Sequence, residues 1–570
     1  VTLLLRRGLP GLVCGLVSGI LLAAAFNHVS LGLAVGALSG TAYGLALPHS
    51  LSAEGAAVDR AMTAAALGLP MWGAINVIAL PLLAGQPAQW TAEGMRAAFP
   101  ALVSWLTFGF ALGLLTTGAT TLVERFVGKL PPANRPAVSE LKIRVVILGG
   151  GFAGVTTALS LEKEFRNDPT VGFTIVSETN ALLFTPMLAE VAASSLEPTH
   201  ISTPLRSSLR RTRVVRGQII GVDFEKREVQ FSDRNETLPY DHLVLALGAV
   251  SGQAPRGAMS DYTLEFKTLG DAIRIRNHVI DVFDRADAEV DGTKRRSLLT
   301  FVVAGGGFSG AELAGALNDF ARGMLADYPN LPAGELRIVL VHSRDRILPE
   351  LNESLAQYAL ERMRARGVSF ELNTRVGSAR RGAVTLTRKD AEPSEFEIET
   401  ETFVWAAGAA PSPLLSHLGL ECDRRGAVIV DQYLAVNGHP GIWALGDCAV
   451  VPDAKTGRPC PPTAQFAIRE ARTLARNLCA SIAGKRLRPF HFDALGTLCV
   501  VGHHTACAEI KGYKFSGFFA WLLWRGIYLS KLPGLERKVR VLSDWTIELF
   551  FPRDIVQTID VRPFAKKPSS

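Results

Sequence analysis

Ile143-Arg144-Val145-Val146-Ile147-Leu148-Gly149-Gly150-Gly151-Phe152-Ala153-Gly154 is the stretch on which the fold turns. Its first half is β-branched and apolar, the composition of a buried strand. Its second half is a G-x-G-x-x-G turn, and Val155-Thr156-Thr157-Ala158 opens a helix behind it. Strand, glycine turn and helix in that order make a phosphate cradle. Gly149 permits the tight turn, Gly151 lets backbone approach a pyrophosphate, and Gly154 lets the helix pack on the strand. A second strand, Phe173 to Val176, ends near Glu178, 24 positions after Gly154. An acid at that distance belongs on a ribose hydroxyl.

The pattern recurs 156 positions further on. Phe301 to Ala304 runs into Gly305-Gly306-Gly307-Phe308-Ser309-Gly310, then Ala311-Glu312 and a helix. The next strand, Arg337 to Val341, ends in His342-Ser343-Arg344. Gly305, Gly307 and Gly310 repeat the parts of Gly149, Gly151 and Gly154, so the chain has turns for two dinucleotides. Tyr240 to Gly248 and Thr402 to Gly408 read as further strands closed by glycine. Gly441 to Asp447 reads as a strand ending in Gly-Asp, whose carboxylate can reach a ribityl hydroxyl or a phosphate linkage. The order implies an α/β fold of two nested Rossmann-like dinucleotide-binding domains. Residues 142–255 and 395–490 form the outer domain, around an inner one of 256–394.

Residues 1–124 have a different composition. Leu9–Phe26, Leu31–Leu47, Met62–Leu83 and Phe99–Val123 are apolar runs. Each approaches the roughly 17 to 25 residues that a membrane-spanning helix needs. Gly11, Gly15 and Gly19, then Gly32, Gly36, Gly40 and Gly44, recur every four residues. That spacing puts small residues on one face, so helix backbones can approach closely. Arg6 and Arg7 precede the first run, and Arg125 and Lys129 follow the fourth. The reading is an all-α, four-helix transmembrane domain with both ends in the cytoplasm. Pro131, Pro132 and Pro136 mark residues 125–141 as a stiff linker.

The 570-residue chain is too long for a single core. Sixty Lys and Arg against 53 Asp and Glu leave a formal charge of +7. That suits an anionic membrane surface or a negatively charged cofactor and argues against a nucleic-acid binder. The mean hydropathy of +0.21 is high for a soluble enzyme. Seven cysteines, none in a C-x-x-C pair, argue against a disulfide framework or a metal site and point to a reducing compartment.

Residues 142 to about 555 resemble the type II NADH dehydrogenases, single-subunit flavoprotein NADH:quinone oxidoreductases of respiratory membranes. The resemblance is carried by Gly149 to Gly154, Asn180 to Leu188, Gly305 to Glu312, Trp443 to Asp447, and Pro461-Pro462-Thr463-Ala464-Gln465. It implies FAD on the first glycine turn, with Asp447 in contact, and NADH on the second. It places Glu312 near the nicotinamide and flavin, and Ala464, Gln465 and the residues after them beside the ring at the quinone site. Relatives that use a Cys-x4-Cys redox pair after the first helix are excluded, since no cysteine lies between Cys14 and Cys422. The expected activity is FAD-dependent, non-proton-pumping oxidation of NADH, with electrons passed to ubiquinone or menaquinone. The expected location is the cell inner membrane, multi-pass, with the catalytic domains facing the cytoplasm. A homodimer is left open.

Three positions depart from the family pattern. After the strand Arg337–Val341, where an acid is usual, stand His342, Ser343 and Arg344. Without that acid a 2′-phosphate is no longer repelled, and Ser343 and Arg344 can bind it, so NADPH oxidation is expected beside NADH oxidation. Arg469 stands where a second glutamine follows Gln465 by four, and Leu495 replaces a lysine before Gly496. In residues 491–570, Phe515–Leu532, with Trp521, Trp524, Arg525 and Tyr528, and Arg537–Phe551 read as helices that lie at a membrane interface. Two other readings remain at this point. One is a sulfide:quinone-type flavoprotein using Cys448 and Cys460, and the other a membrane-anchored FAD/NAD(P)H redox sensor with little turnover.

Overall fold

The computed structural model describes residues 8–26, 28–50, 57–88, 92–127, 141–252, 262–389 and 394–557. Arg6, Arg7, Lys129, the prolines of the linker and the tail beyond 557 lie outside the described residues. The chain divides into two compact units, residues 1–132 with 533–539, and residues 133–532 with 540–570.

The first unit is helical. Leu9–Phe26, Ala64–Leu83 and Phe99–Val123 are long and apolar enough to cross a membrane, and Val29–Leu45 is a shorter apolar helix. The glycine stripes meet as their spacing predicts. A Cβ on Gly15 would lie 2.2 Å from the carbonyl oxygen of Gly36, and one on Gly36 would lie 2.4 Å from that of Gly15. Gly11 and Gly40 oppose each other in the same way. Asn76, in the third run, donates to the carbonyl of Ala25 (2.9 Å) and accepts from Trp105 Nε1 (2.8 Å). Such polar contacts between helices replace water where lipid offers none.

The second unit is built on two five-stranded parallel sheets. In the first, β1 (Ile143–Leu148) lies between β2 (Val171–Ser177) and β4 (His242–Leu245). β3 (Arg213–Arg216) and β10 (Ile442–Ala444) are its edges. In the second sheet, β6 (Thr300–Ala304) lies between β7 (Arg337–Val341) and β9 (Thr402–Trp405). β5 (Thr263–Glu265) and β8 (Val368–Glu371) close its sides. The strands are continuous apolar runs because helices cover both faces of such sheets. Ile147, Leu148, Val244, Val303 and Leu340 are wholly buried.

One boundary is corrected. The outer domain was expected to resume at 395, but Thr402–Trp405 hydrogen-bonds to β6 and belongs to the inner sheet. The chain crosses back afterwards, where Ala409–Pro411 pairs antiparallel with Ala249–Ser251. An apolar run shows that a strand is buried but not which sheet it joins.

α1 (Phe152–Glu164) and α3 (Phe308–Met324) follow the two glycine turns, with α2 (Leu188–Ala192) between them in sequence. α4 (Ala464–Ile482) packs on α1. The C-terminal part is an antiparallel sheet, β11 (Gly496–Gly502), β12 (Thr505–Ile510) and β13 (Tyr513–Ser516), with α5 (Gly517–Lys531) and α6 (Leu535–Glu548). The residues expected at a membrane interface here are placed differently. Trp521, Trp524 and Trp545 are buried, and Arg525 sits in an internal ion cluster. The exposed apolar residues include Phe518, Phe519, Leu522, Ile547, Leu549, Phe550 and Phe551. Helical spacing identifies two faces, but only packing decides which one the protein itself consumes.

Candidate active site

The two glycine turns have nearly the same backbone. Gly149 has φ +117° and Gly305 +120°, values that side chains rarely adopt. Gly151 and Gly307 stand at the helix starts with φ,ψ of −81°, −170° and −77°, −173°. A Cβ on Gly154 would come within 1.9 Å of Gly149 O, and one on Gly310 within 1.7 Å of Gly305 O. These glycines let helix and strand close up. Gly151 is different, since a Cβ there would meet nothing within 4 Å. The same position in the second turn has only Glu350 Oε1, at 3.9 Å. Neither helix start is capped by a side chain, so first-turn amides remain for an anion. Both turns therefore have the room and the donors that a pyrophosphate requires.

Behind the turns the two sheets differ. A Cβ on Gly150 would meet Ser177 Oγ at 2.4 Å, and one on Gly306 would meet the His342 ring at 2.6 Å. His342 is thus the counterpart of Ser177, and Ser343 is the counterpart of Glu178. This corrects the expectation that His342 occupies the acid's place. The Gly306 N–H donates to His342 Nδ1 at 3.1 Å. Burial, then the Arg344 charge, lowers the imidazole pKa and keeps the ring neutral. Glu178, Ser343 and Arg344 are exposed at the ends of β2 and β7.

Asp447 follows β10 on the turn Gly446–Cys448. A Cβ on Gly446 would touch Ala153 at 3.2 Å and Ala467 at 3.5 Å, so this turn, α1 and α4 converge. Burial lifts the Asp447 carboxyl above its usual range, against the pull of Lys267. Glu470, one turn along α4 from Ala467, accepts from the Gly446 N–H at 2.7 Å and is pushed up to about 7 by burial. Sequence reasoning missed Glu470. Its signal was an acid on the apolar face of α4, three residues after Ala467.

At the start of α4, Ala464 is half-buried and Gln465 reaches the C-terminal part. Gln465 Nε2 donates to Gly496 O, and its Oε1 accepts from Leu495 N–H, both at 3.3 Å. Arg469, one turn later, lies over the Phe492 ring at 5.1 Å. Glu312 lies early in α3 and is half-buried, accepting from the Val500 N–H at 3.3 Å. Burial pushes it up to about 8. The rings of Phe152, Phe184 and Tyr528 form a chain from the first glycine turn, with centroids 5.7 and 6.1 Å apart. Tyr528 in turn is within electrostatic reach of Glu312.

Residues 143–471 match the family described as pyridine nucleotide-disulphide oxidoreductase, and residues 495–554 match the NDH2 C-terminal domain. The chain is 32% identical over 430 residues to a type II NADH:quinone oxidoreductase of Mycobacterium tuberculosis, across 73% of this chain and 89% of that one. This chain belongs to the type II NADH:quinone oxidoreductase family. Another member-like relative is a demethylphylloquinone reductase of Synechocystis, 30% identical over 428 residues, 72% of this chain and 98% of that one. In fold, the chain is similar to the solved NDH2 of Plasmodium falciparum in complex with NADH. That likeness has a TM-score of 0.67 at 18% identity, covering 73% of this chain and all of the other. The apolar helices at the front lie outside both matched family regions.

Proposed function

We propose that the two glycine turns divide the family's reaction between them. The first, with Gly149, Gly151, Gly154, Glu178, Asp447 and Ala464, holds FAD. The second, with Gly305, Gly307, Gly310, Ser343 and Arg344, holds the nicotinamide dinucleotide. The reaction is FAD-dependent oxidation of NADH with electron transfer to a quinone. When bound, the flavin supplies the two-electron chemistry. The residues of this chain supply position, charge and exclusion of water. The observation that supports this reading most is the matched pair of open glycine turns on two parallel sheets within one chain.

Gln465 and Arg469 border the quinone, and Glu312 is the carboxyl that exchanges a proton on the same side. The exposed aromatic face of the C-terminal helices rests in the headgroup layer. The front helices cross the bilayer four times and leave the catalytic part in the cytoplasm, with no proton pumping. Purified protein in detergent is the test. Fast NADH-dependent reduction of ubiquinone or menaquinone analogues supports the enzyme, and flavin that stays oxidised with both NADH and NADPH sinks it. A periplasmic signal from a reporter fused near Asn134 would overturn the topology.

The sulfide reading loses its physical basis. Cys448 and Cys460 are free thiols. Burial pushes Cys448 up to about 11 and Cys460 up to about 12. A sulfide oxidoreductase needs a thiolate as nucleophile.

A further inference from the structure

Three carboxyls and two guanidinium groups meet where the outer domain, the inner domain and the C-terminal part come together. Glu190 comes from α2, Glu312 from α3, Glu548 from α6, Arg525 from α5, and Arg553 from the segment after α6. Arg525 Nη2 lies 3.0 Å from Glu548 Oε2 and 4.0 Å from Glu190 Oε1. Arg553 Nη2 lies 2.8 Å from Glu548 Oε1. Trp545 Nε1 donates to Glu190 Oε2 at 3.2 Å. Arg525 is also sandwiched over the rings of Trp521 (4.0 Å) and Trp545 (4.7 Å). Glu548 and Arg553, with Asp319, Arg366 and His503, line a cavity of about 580 Å³.

The charges do not balance, because both arginines are committed to Glu548. Glu190 has the more distant edge of Arg525 and one indole donor, and Glu312 has the Val500 N–H with the Trp524 indole beside it. An isolated buried carboxylate is costly, so such groups take up a proton instead. Glu548 behaves in the opposite way, with Arg553 and Arg525 holding its carboxyl below the usual range despite burial. Glu190 is pushed up to about 7 by burial, with Glu548 adding to the rise. Glu312 feels Glu190 in turn. Two half-buried carboxyls near neutrality thus stand in electrostatic contact, one beside the candidate redox site and the other beside the ion pair that walls a cavity.

The reaction consumes one proton per turnover: NADH, one H⁺ and quinone give NAD⁺ and quinol. We propose that Glu190 carries this proton inward, from water in the cavity at Glu548 to Glu312. The O–H bond of Glu312 breaks as a quinol O–H forms. The O–H bond of Glu190 then breaks as that of Glu312 re-forms, and a proton from the cavity, met first by the Glu548 carboxylate, restores Glu190. No electrons move in these transfers. The proposal rests on the assignment of Glu312 given above, and it assigns Glu190 a function beyond docking the C-terminal helices.

Glu190→Gln keeps size and the indole hydrogen bond and removes the transferable proton. In the FAD-loaded protein, rapid mixing separates flavin reduction by NADH from flavin reoxidation by quinone. Reduction should keep its rate, while reoxidation should slow by more than about tenfold, within the range for a lost acid–base group. The solvent deuterium isotope effect on reoxidation should rise. A second readout needs no turnover. The infrared C=O band of a protonated buried carboxyl at pH 7 should shrink, and the midpoint of the remaining band should move down, since Glu312 no longer faces a second acid. Unchanged reoxidation, or equal slowing of both half-reactions, would overturn the proposal. If Glu312→Gln leaves reoxidation unchanged, the Glu312 assignment fails. If Glu312→Gln slows it and Glu190→Gln does not, only the present proposal fails. Should Glu190→Gln not fold, Trp545→Phe removes the indole donor and leaves the carboxyl. The groups facing Glu190 are then Arg525, Glu548 and Arg553, with Glu312 on the other side. Its proton affinity should rise, and the alkaline limb of reoxidation should move to higher pH. A limb that stays in place would also overturn the idea.

Discussion

Gly151 shows how one residue separates binding from folding. Its Cβ position is open, unlike those of Gly149 and Gly154. Gly151→Val should therefore fold but purify without flavin, as read from the absorbance ratio, and full flavin content would refute the assignment. We propose that Ser343, the counterpart of Glu178, sets dinucleotide choice in place of His342. Wild type should oxidise NADPH, with less than about a thousandfold preference in kcat/KM, ~4 kcal/mol. Ser343→Glu restores a carboxylate that repels a 2′-phosphate, and NADPH kcat/KM should fall at least about tenfold relative to NADH. His342→Glu would instead push an acid beneath the glycine turn and disturb both donors. Buried carboxyls also shape stability. Glu312 titrates at about 8 and Glu190 at about 7 when folded, above the unfolded value. Such raised acids contribute stability that is full below about pH 4 and is lost as pH rises through their folded values. Tm should decline from mildly acidic pH towards pH 8, and Glu312→Gln should flatten that decline. A slope unchanged by the substitution would contradict the burial.

At the scale of elements, the two glycine-striped helices depend on backbone contact. Gly15 and Gly36 leave no space for a side chain. Gly15→Leu should separate the pair and cost about 1–3 kcal/mol, the usual range for overpacking. Cross-linking between cysteines placed at Val13 and Leu38 offers no test, because both face outward. Thermal unfolding in detergent does, and an unchanged midpoint would show that the pair does not hold the unit together. The C-terminal helices illustrate the opposite case. Their tryptophans pack inward, and Phe518, Phe519 and Phe551 remain outside. Arg525 lies over Trp521 and Trp545, and Trp524 packs against Trp545, so these rings tie the two helices to each other.

At the scale of the whole molecule, the matched family regions begin at residue 143, and both glycine turns follow it. A chain starting near Ser139 should keep FAD and reduce soluble quinone analogues at a rate within a few-fold of wild type. It should still sediment with membranes through its aromatic face, and Phe518→Asp with Phe519→Asp should release it. Loss of flavin reduction in a folded, shortened protein would give the front helices a part in the chemistry. Sedimentation that survives the double substitution would move the attachment elsewhere.

The family, the two glycine turns and the apolar front helices were legible in the residues themselves, because each rests on local chemistry. A glycine turn needs φ and space at fixed offsets, and a bilayer helix needs length and apolarity. The glycine stripes even announced their close contact, since a spacing of four places them on one face. What tertiary structure alone decided was partnership between distant segments. Thr402–Trp405 could have joined either sheet until hydrogen bonds assigned it to the inner one. Ser343 became the counterpart of Glu178 only when His342 was found beneath Gly306. Glu190 carried one clue in the sequence, a lone acid between Ala189 and Val191, and nothing there linked it to Arg525 or Glu548. Its proton affinity comes from burial and from charges more than 300 residues away along the chain, and spacing along a sequence does not encode those distances.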